Sequence, residues 1–282
     1  MASGKPLISI IIPVKGRLDI TSETIQSIYN QDYDLQKVEI LIVEERDYGE
    51  YISPELKKRF PSILAYLNED EKYSGGSRNT GVKVEKGKYI VFLDSDDKMD
   101  KNYLKFMWNE IVKDSNCGAV VCLSYSSFDP KYGLKLKIIL RPLMWIRDLS
   151  IITAYFFNKK YIYPSSFYLC QISHMIFRRE IVANLEFNAK YRYGGEDWDY
   201  FRRALEIAPI RILPRRLLSF RYIVGSSTDN PINRKRKWKS YQELASCLPI
   251  NFKRSIFFIL FLLYIFKKLP RFIYCNCKLI LN

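Results

Sequence analysis

The chain has 282 residues, 48% of them hydrophobic, which suits one large α/β domain with an appendage or two small domains and argues against bulk disorder. Forty-five Lys and Arg against 30 Asp and Glu leave a formal charge of +15, which calls for an anionic partner: nucleic acid, an acidic membrane surface or a phosphorylated substrate. Six cysteines (Cys117, Cys122, Cys170, Cys247, Cys275, Cys277) show neither zinc-type spacing nor a secreted disulfide framework, and Lys5-Pro6 leads into a strand without a signal pattern, so a reducing cytoplasm is expected.

Residues 7–14 (LISIIIPV) form an almost unbroken apolar run, as expected for a parallel strand covered on both faces, with Pro13 at its end where a missing donor does least harm. Lys15-Gly16-Arg17 makes a loop, and 19–31 reads as a helix with Ile25 and Ile28 inward. Residues 38–43 (VEILIV) predict a second strand that ends in Glu44-Glu45-Arg46-Asp47. A short helix opens at Pro54, and a weaker strand covers 63–67. Ser74-Gly75-Gly76-Ser77-Arg78-Asn79-Thr80-Gly81 is a turn running into a helix through about Lys86, followed by a strand at 89–93, a helix at 101–114 and a strand at 118–123. Four β-then-α units in about 115 residues predict a doubly wound, Rossmann-like sheet, whose ligands collect at the carboxyl ends of the strands. Glu44, Glu45, Arg78, Asp94 and Asp96 all fall at or near those ends.

The strand at 89–93 releases Asp94-Ser95-Asp96-Asp97 into a loop, a cluster of like charge that a divalent cation usually compensates. Hard oxygen ligands of this kind suit Mg²⁺ or Mn²⁺, which in turn can hold a diphosphate. Residues 174–179 predict a further strand. Beyond it, Gly194-Gly195-Glu196-Asp197-Trp198-Asp199 precedes a helix in which Trp198, Phe201 and Leu205 recur at helical spacing. That spacing puts Asp197 and Asp199 in the first turn, where the helix dipole favours acids whatever their function. The tail differs in kind: residues 234–239 (RKRKWK) are basic, and 256–266 are eleven consecutive apolar residues flanked by Lys253-Arg254 and Lys267-Lys268. Eleven is short for a span of roughly 20 residues, so an element lying in a membrane interface is expected.

Taken together, these stretches resemble the inverting family-2 glycosyltransferases of GT-A fold over about residues 7–227. The resemblance rests on five ordered signatures: Ser9 to Val14, Val38 to Glu45, Ser77-Arg78-Asn79-Thr80-Gly81, Phe92 to Asp97, and Gly195-Glu196-Asp197-Trp198-Asp199. It implies a GT-A Rossmann-like, mostly parallel central sheet flanked by helices. A glycosyltransferase domain would span 1–228, with a nucleotide-binding half at 1–123 and an acceptor-binding half at 124–228. Residues 229–282 would form a basic, apolar, membrane-associating extension.

It also implies roles for particular residues. Pro13, Val14, Glu44, Glu45, Arg78, Asp94, Ser95 and Asp96 would contact the nucleotide-sugar donor. Glu44 or Glu45 would accept from a base N–H, and Arg78 would touch base or phosphate. Asp96, with Asp94, would hold Mn²⁺ or Mg²⁺; Asp197, with Glu196, would take the proton from the acceptor hydroxyl; and Trp198, Asp97 and His174 would face the acceptor. Three departures stand out. The second strand ends in Glu44-Glu45 instead of Asp-Asp-Gly-Ser, Lys15-Gly16-Arg17 stands where Tyr-Asn is common, and Ile223 occupies the place of a metal-site histidine.

The activity expected is transfer of a sugar from a nucleotide-diphosphate donor, a UDP-sugar first, to a glycan or lipid-linked acceptor at the inner face of the membrane. A sugar-phosphate nucleotidyltransferase would need a glycine-rich loop after the first strand, and Lys15-Gly16-Arg17 is poor in glycine. A basic nucleic-acid-binding protein accounts for the charge, but acids at the strand ends would repel a polyanion there.

Overall fold

The computed structural model describes residues 7–46, 49–70, 73–128, 155–156, 161–162, 171–191 and 194–223. Its strands are β1 Ile8–Val14, β2 Val38–Glu44, β3 Leu64–Leu67, β4 Tyr89–Phe92, β5 Lys98–Met99, β6 Ala119–Phe128, β7 Tyr161–Ile162, β8 Met175–Arg178 and β9 Ile210–Tyr222. Its helices are α1 Leu18–Tyr29, α2 Ser53–Arg59, α3 Ser74–Val84, α4 Tyr103–Val112, α5 Arg179–Val182 and α6 Glu196–Ile207. The strands form one sheet in the order β3-β2-β1-β4-β8-β6-β9-β5, with β7 paired to β9. β3, β2, β1 and β4 run parallel. β8 is antiparallel to both β4 and β6, while β6 and β9 are parallel to each other. The result is the mixed, mostly parallel α/β sheet flanked by helices that the sequence leads one to expect.

Alternation along β1 explains why its sequence is apolar on both parities. Ile8, Ile10, Ile12 and Val14 pack with Ile25 and Ile28 of α1 and with Tyr103, Met107 and Ile111 of α4. Ile11 turns to the other face, into a cluster with Phe92, Phe177, Phe187 and with Tyr200, Phe201 and Leu205 of α6. Two helical layers therefore need apolar residues from one strand. α3 lies close on β1, because a Cβ at Gly81 would come within 2.4 Å of Ile11 Cγ2. Glycine at this position lets the helix reach the depth at which Arg78 is wholly inside.

The elements expected from the sequence occur within one to three residues at most ends, with one extension: β6 runs on to Phe128. The 13-residue β9, like the two-residue β5 and β7, is a strand the sequence did not reveal. It contains Pro214, which demotes a strand reading. Its register on β6 steps from Cys122↔Leu213 to Leu123↔Arg216, so Pro214 and Arg215 fall in a bulge where no ladder donor is needed. Cys117 and Cys122 are buried in the core, as small apolar side chains. Among the described residues no helix is long and apolar enough to cross a membrane. The basic run 234–239 and the apolar run 256–266 lie outside the described residues.

Candidate active site

β4 delivers the acidic loop. Phe92, its last residue, is ringed by Phe177, Phe187 and Tyr200 at centroid distances of 5.1–6.0 Å. Leu93 N still donates to Ile11 O at 2.9 Å, so the chain leaves the sheet only at Asp94. The loop is then pinned from three sides. Asp94 N donates to Ser173 Oγ at 3.1 Å, Thr24 Oγ1 donates to Ser95 O at 2.8 Å, and Arg221 Nε donates to the Asp96 carbonyl. Arg221 also bonds Glu23 (2.6 Å) and Ile20 O (3.1 Å), which staples the end of β9 onto α1. Held in this way, the loop leaves the Asp94 and Asp96 side chains 29% and 28% exposed.

α6 delivers the second acidic motif. Its N-cap, Gly195, has φ 103°, a left-handed turn that a side chain would strain. Three acids follow in the first turn, but they do different things. Asp199 is buried and paired along its own helix with Arg203 at 2.8 Å and Arg202 at 3.7 Å. Glu196 Oε1 accepts from Ser74 Oγ of α3 at 3.1 Å. Asp197 turns toward the acidic loop: its Oδ2 accepts from Ile172 N at 3.3 Å and its Oδ1 from Arg78 at 3.1 Å.

Arg78 joins the two motifs. One guanidinium nitrogen donates to Asp94 Oδ1 at 2.6 Å, and the other reaches Asp197 Oδ1 at 3.1 Å and Glu196 Oε1 at 3.7 Å. The side chain is 2% exposed, with its charged carbon 5.1 Å from the centre of the Phe187 ring. The neighbouring Asn79 clasps the backbone of Phe187 with two hydrogen bonds, 2.7 and 3.1 Å, holding that ring beneath the guanidinium. A buried cation is tolerated only with such partners. Burial alone would lower the Arg78 pKa, but the Asp197, Asp94 and Glu196 charges outweigh it and raise it.

The acids respond in the opposite sense. Burial pushes the Asp197 carboxyl up to about 7; Arg78 opposes this, and Glu196 and Asp94 add to it. Burial, then Asp94, raises Asp96 to about 6 against the pull of Arg17 and Arg221. Asp97 is fully buried and held well above the usual carboxylate range by burial, then by Asp94 and Asp96.

Several of the residues expected at donor or acceptor are engaged with protein partners. Asp97, expected at the acceptor, has no exposure; its Oδ1 accepts from Arg221 N at 3.4 Å, so it props the loop from within. Glu44, expected at the base, spends both oxygens on Ile52 N (2.7 Å) and Ser53 N (3.0 Å), the start of α2. Glu45 remains available: Oε2 accepts from Tyr73 N at 2.8 Å, while its buried Oε1 has no hydrogen-bond partner among the described residues. Arg78, expected at base or phosphate, faces carboxylates. Pro13 and Val14 are buried at the end of β1, and Val14 O accepts from Glu45 N at 3.0 Å. His174 is 1% exposed within the turn Ile172–His174, and Trp198 is half-buried in the first turn of α6. That turn matters through its neighbours, since Ile172 N meets Asp197 and Ser173 Oγ meets Asp94. Ser173, Ser74, Thr24 and Arg221 have ordinary side chains, and only tertiary contact reveals their part.

Among the described residues no cluster of three or more His, Cys, Asp or Glu converges as a metal cage. The donor set is Asp96, 3.8 Å from Arg17, and the Asp94 oxygen not bonded to Arg78. One or two carboxylates suit a Mg²⁺ or Mn²⁺ that draws its remaining ligands from a diphosphate and water. The fit is therefore to a metal arriving with a phosphorylated ligand.

Comparison with known proteins bears on the fold and the family. The chain is 35% identical over 107 residues to the poly(ribitol-phosphate) β-glucosyltransferase of Bacillus spizizenii, a match covering 36% of this chain and 17% of that much longer protein. Residues 1–349 of Staphylococcus aureus TarS in complex with UDP-GlcNAc superpose with a TM-score of 0.66 at 16% identity, covering 89% of this chain and 70% of that one. The mannosyltransferase PcManGT of Pyrobaculum calidifontis, in complex with GDP-Man and Mn²⁺, gives a TM-score of 0.63 at 17% identity over 90% of this chain and 68% of that one. These structures share the fold. The profile of glycosyl transferase family 2 matches residues 9–185, which takes in β1 through α5 and all of the acidic loop. The chain belongs to glycosyl transferase family 2, with a GT-A fold.

Proposed function

We propose that the protein transfers a hexosyl or N-acetylhexosaminyl group from a nucleotide-diphosphate donor, a UDP-sugar first, to a hydroxyl of a glycan or lipid-linked acceptor, with inversion. The observation that carries this reading is the meeting of Asp94 and Asp197, from motifs 103 positions apart in sequence, on the single guanidinium of Arg78. Asp197 has the properties of a general base. It is 22% exposed, and each oxygen has one protein partner, which leaves lone pairs for an incoming hydroxyl. Its raised pKa, about 7, matches the pH at which such a proton is taken.

In the step proposed, the acceptor oxygen forms its bond to the anomeric carbon as its proton passes to Asp197. The bond from that carbon to the diphosphate breaks, and the electron pair leaves with the diphosphate. A metal bound at Asp96 and Asp94 would offset the charge gathering on that leaving group. Glu45, with its unpartnered Oε1, is the acid we assign to the nucleotide base in preference to Glu44. The first 228 residues would hold this chemistry, and residues 229–282 would bring it to the inner face of the membrane through basic and interfacial contacts.

The test is turnover of a panel of UDP-, dTDP- and GDP-sugars with Mn²⁺ or Mg²⁺, comparing wild type with Asp96→Ala and Asp197→Asn and reading the product anomer by NMR. Equal turnover in all three proteins, or a retained anomer, rejects the assignment. For the tail, removal of residues after Asn251 should move the protein from the membrane to the soluble fraction, and an unchanged partition rejects it as an anchor.

A further inference from the structure

We infer that Arg221, acting with Thr24, is a positioning residue for the metal end of the cleft. The pair holds the backbone of the acidic loop so that the Asp94 and Asp96 carboxylates sit where a cation carrying a diphosphate can use them. This inference rests on the metal role proposed for those two acids. Three observations carry it.

The first is convergence. Residues 94–97 close a turn in which Asp97 N donates to Asp94 O at 3.0 Å. The two carbonyls inside that turn are gripped from outside: Thr24 Oγ1 donates to Ser95 O at 2.8 Å, and Arg221 Nε donates to Asp96 O. The two gripping side chains also bond each other, Arg221 donating to Thr24 Oγ1 at 2.9 Å, and Arg221 N meets Asp97 Oδ1 at 3.4 Å. The second is division of labour. Arg221 spends its guanidinium on the Asp96 carbonyl, Glu23, Thr24 and Ile20 O, so the Asp94 and Asp96 carboxylates are left to other partners. The Arg221 side chain is 11% exposed and Thr24 is wholly buried, while Asp94 and Asp96 stay partly exposed. The third is anchorage past the loop. Lys98 and Met99 pair with Ser219 and Leu218 of β9, and Met99 N donates to Ser27 Oγ of α1 at 3.1 Å. β9 and α1 therefore hold this chain segment twice, at Ser95 and Asp96 and again at Met99. A small, hard cation demands near-ideal geometry, so a loop fixed before the cation arrives binds it at less cost.

Lysine keeps the charge of Arg221 but has a single donor atom, which cannot reach Asp96 O, Thr24, Glu23 and Ile20 O together. Removing a nearby positive charge would by itself tighten a bound cation, so Arg221→Lys holds that term fixed and reads position. With UDP present, Mn²⁺ affinity followed by the EPR signal of free Mn²⁺ should fall at least about tenfold, while the Kd for uridine and for metal-free UDP stays within about twofold of wild type. In turnover, the apparent constant for Mn²⁺ should rise and kcat at saturating Mn²⁺ should hold. Thr24→Val removes the hydroxyl that meets both Ser95 O and Arg221 with no change of charge, and it should weaken Mn²⁺ in the same way. Thr24→Ser keeps that hydroxyl and should recover most of the loss. The double variant Arg221→Lys with Thr24→Val should lose less than the two single losses combined, because both break one shared brace.

Unchanged Mn²⁺ affinity in folded Arg221→Lys overturns the inference and leaves Arg221 a staple of the fold. So does a parallel fall in uridine and Mn²⁺ affinity, or a Thr24→Ser protein no better than Thr24→Val. If Arg221→Lys fails to fold, the two Thr24 variants carry the same measurement. A wild type that binds Mn²⁺ with UDP yet turns over no sugar rejects the proposed transfer, and the binding comparison still decides the positioning role. A wild type that turns over donors with no metal bound removes that role while the transfer stands.

Discussion

Two strands of one mixed sheet, β2 and β4 on either side of β1, end in carboxylates, and their fates are opposite. At the tip of β2, Glu44 meets backbone N–H groups of Ile52 and Ser53, and Glu45 meets Tyr73 N. At the tip of β4, Asp94, Asp96 and Asp97 meet mostly one another, a buried arginine and the acids of α6. Backbone donors satisfy both oxygens of Glu44 at fixed geometry and make it part of the frame, while Glu45 keeps an unpartnered Oε1. Burial, and then like-charged neighbours, raise the pKa of Asp96 and Asp97 and suit that tip to a cation. Position at a strand tip is therefore insufficient to mark a ligand site; what faces the tip decides.

Substitutions can break or sharpen this contrast. The largest effect is expected from Asp197→Asn, which keeps shape and removes the base: kcat should fall by roughly 10²–10⁴-fold with little change in UDP affinity. Asp96→Ala comes next, with turnover down about 10²-fold and a clear loss of Mn²⁺ affinity measured with UDP present. If Mn²⁺ binding is unchanged, the tip of β4 is not the cation site.

A third prediction concerns pH. The folded protein holds protons on Asp96, Asp197 and Asp97 more tightly than the unfolded chain does, with pKa values of about 6, about 7 and well above the usual range. Stability from this source is full below the ordinary aspartate pKa of about 4 and is lost as pH climbs through 6 and 7. Thermal unfolding from pH 4.5 to 8 (conditions spanning roughly that window) should show Tm falling, with Asp97→Asn flattening part of the fall; a slope unaltered by that variant contradicts this reading of the β4 tip. The smallest effect belongs to the tip of β2. Glu44→Ala should cost about 1 kcal/mol, or roughly 2–4 °C in Tm, as a lost helix-start cap does, while leaving the kcat of the transfer reaction nearly intact. A Glu44→Ala protein with kcat lowered as far as in Asp96→Ala would erase the distinction between the two tips.

Much of the fold was legible because it repeats. The apolar run of β1, the strand-then-helix alternation to Asp97 and the helical spacing after Gly195 are local patterns, and each became the element expected. β9 was not legible, since Pro214 and Arg215 interrupt it and only pairing with β6 absorbs them as a bulge. The acids themselves stood out by type and clustering, yet the protein partners that hold Asp97, Glu44 and Arg78 were not legible in their spacing. Ser173 and Thr24, which pin the acidic loop, carried no signal, because a hydrogen bond between residues 71 or 79 positions apart leaves no trace in spacing.

The amino-acid sequence by itself determined the parallel strands β1 to β4, the order of the acidic motifs and the family, since hydrophobic period and charge clustering act over a few residues. Which carboxylate caps a helix, which lies buried and which is left partly exposed beside Arg78 was decided only by tertiary structure. Burial and counter-charge come from side chains that are distant in the chain and adjacent in space.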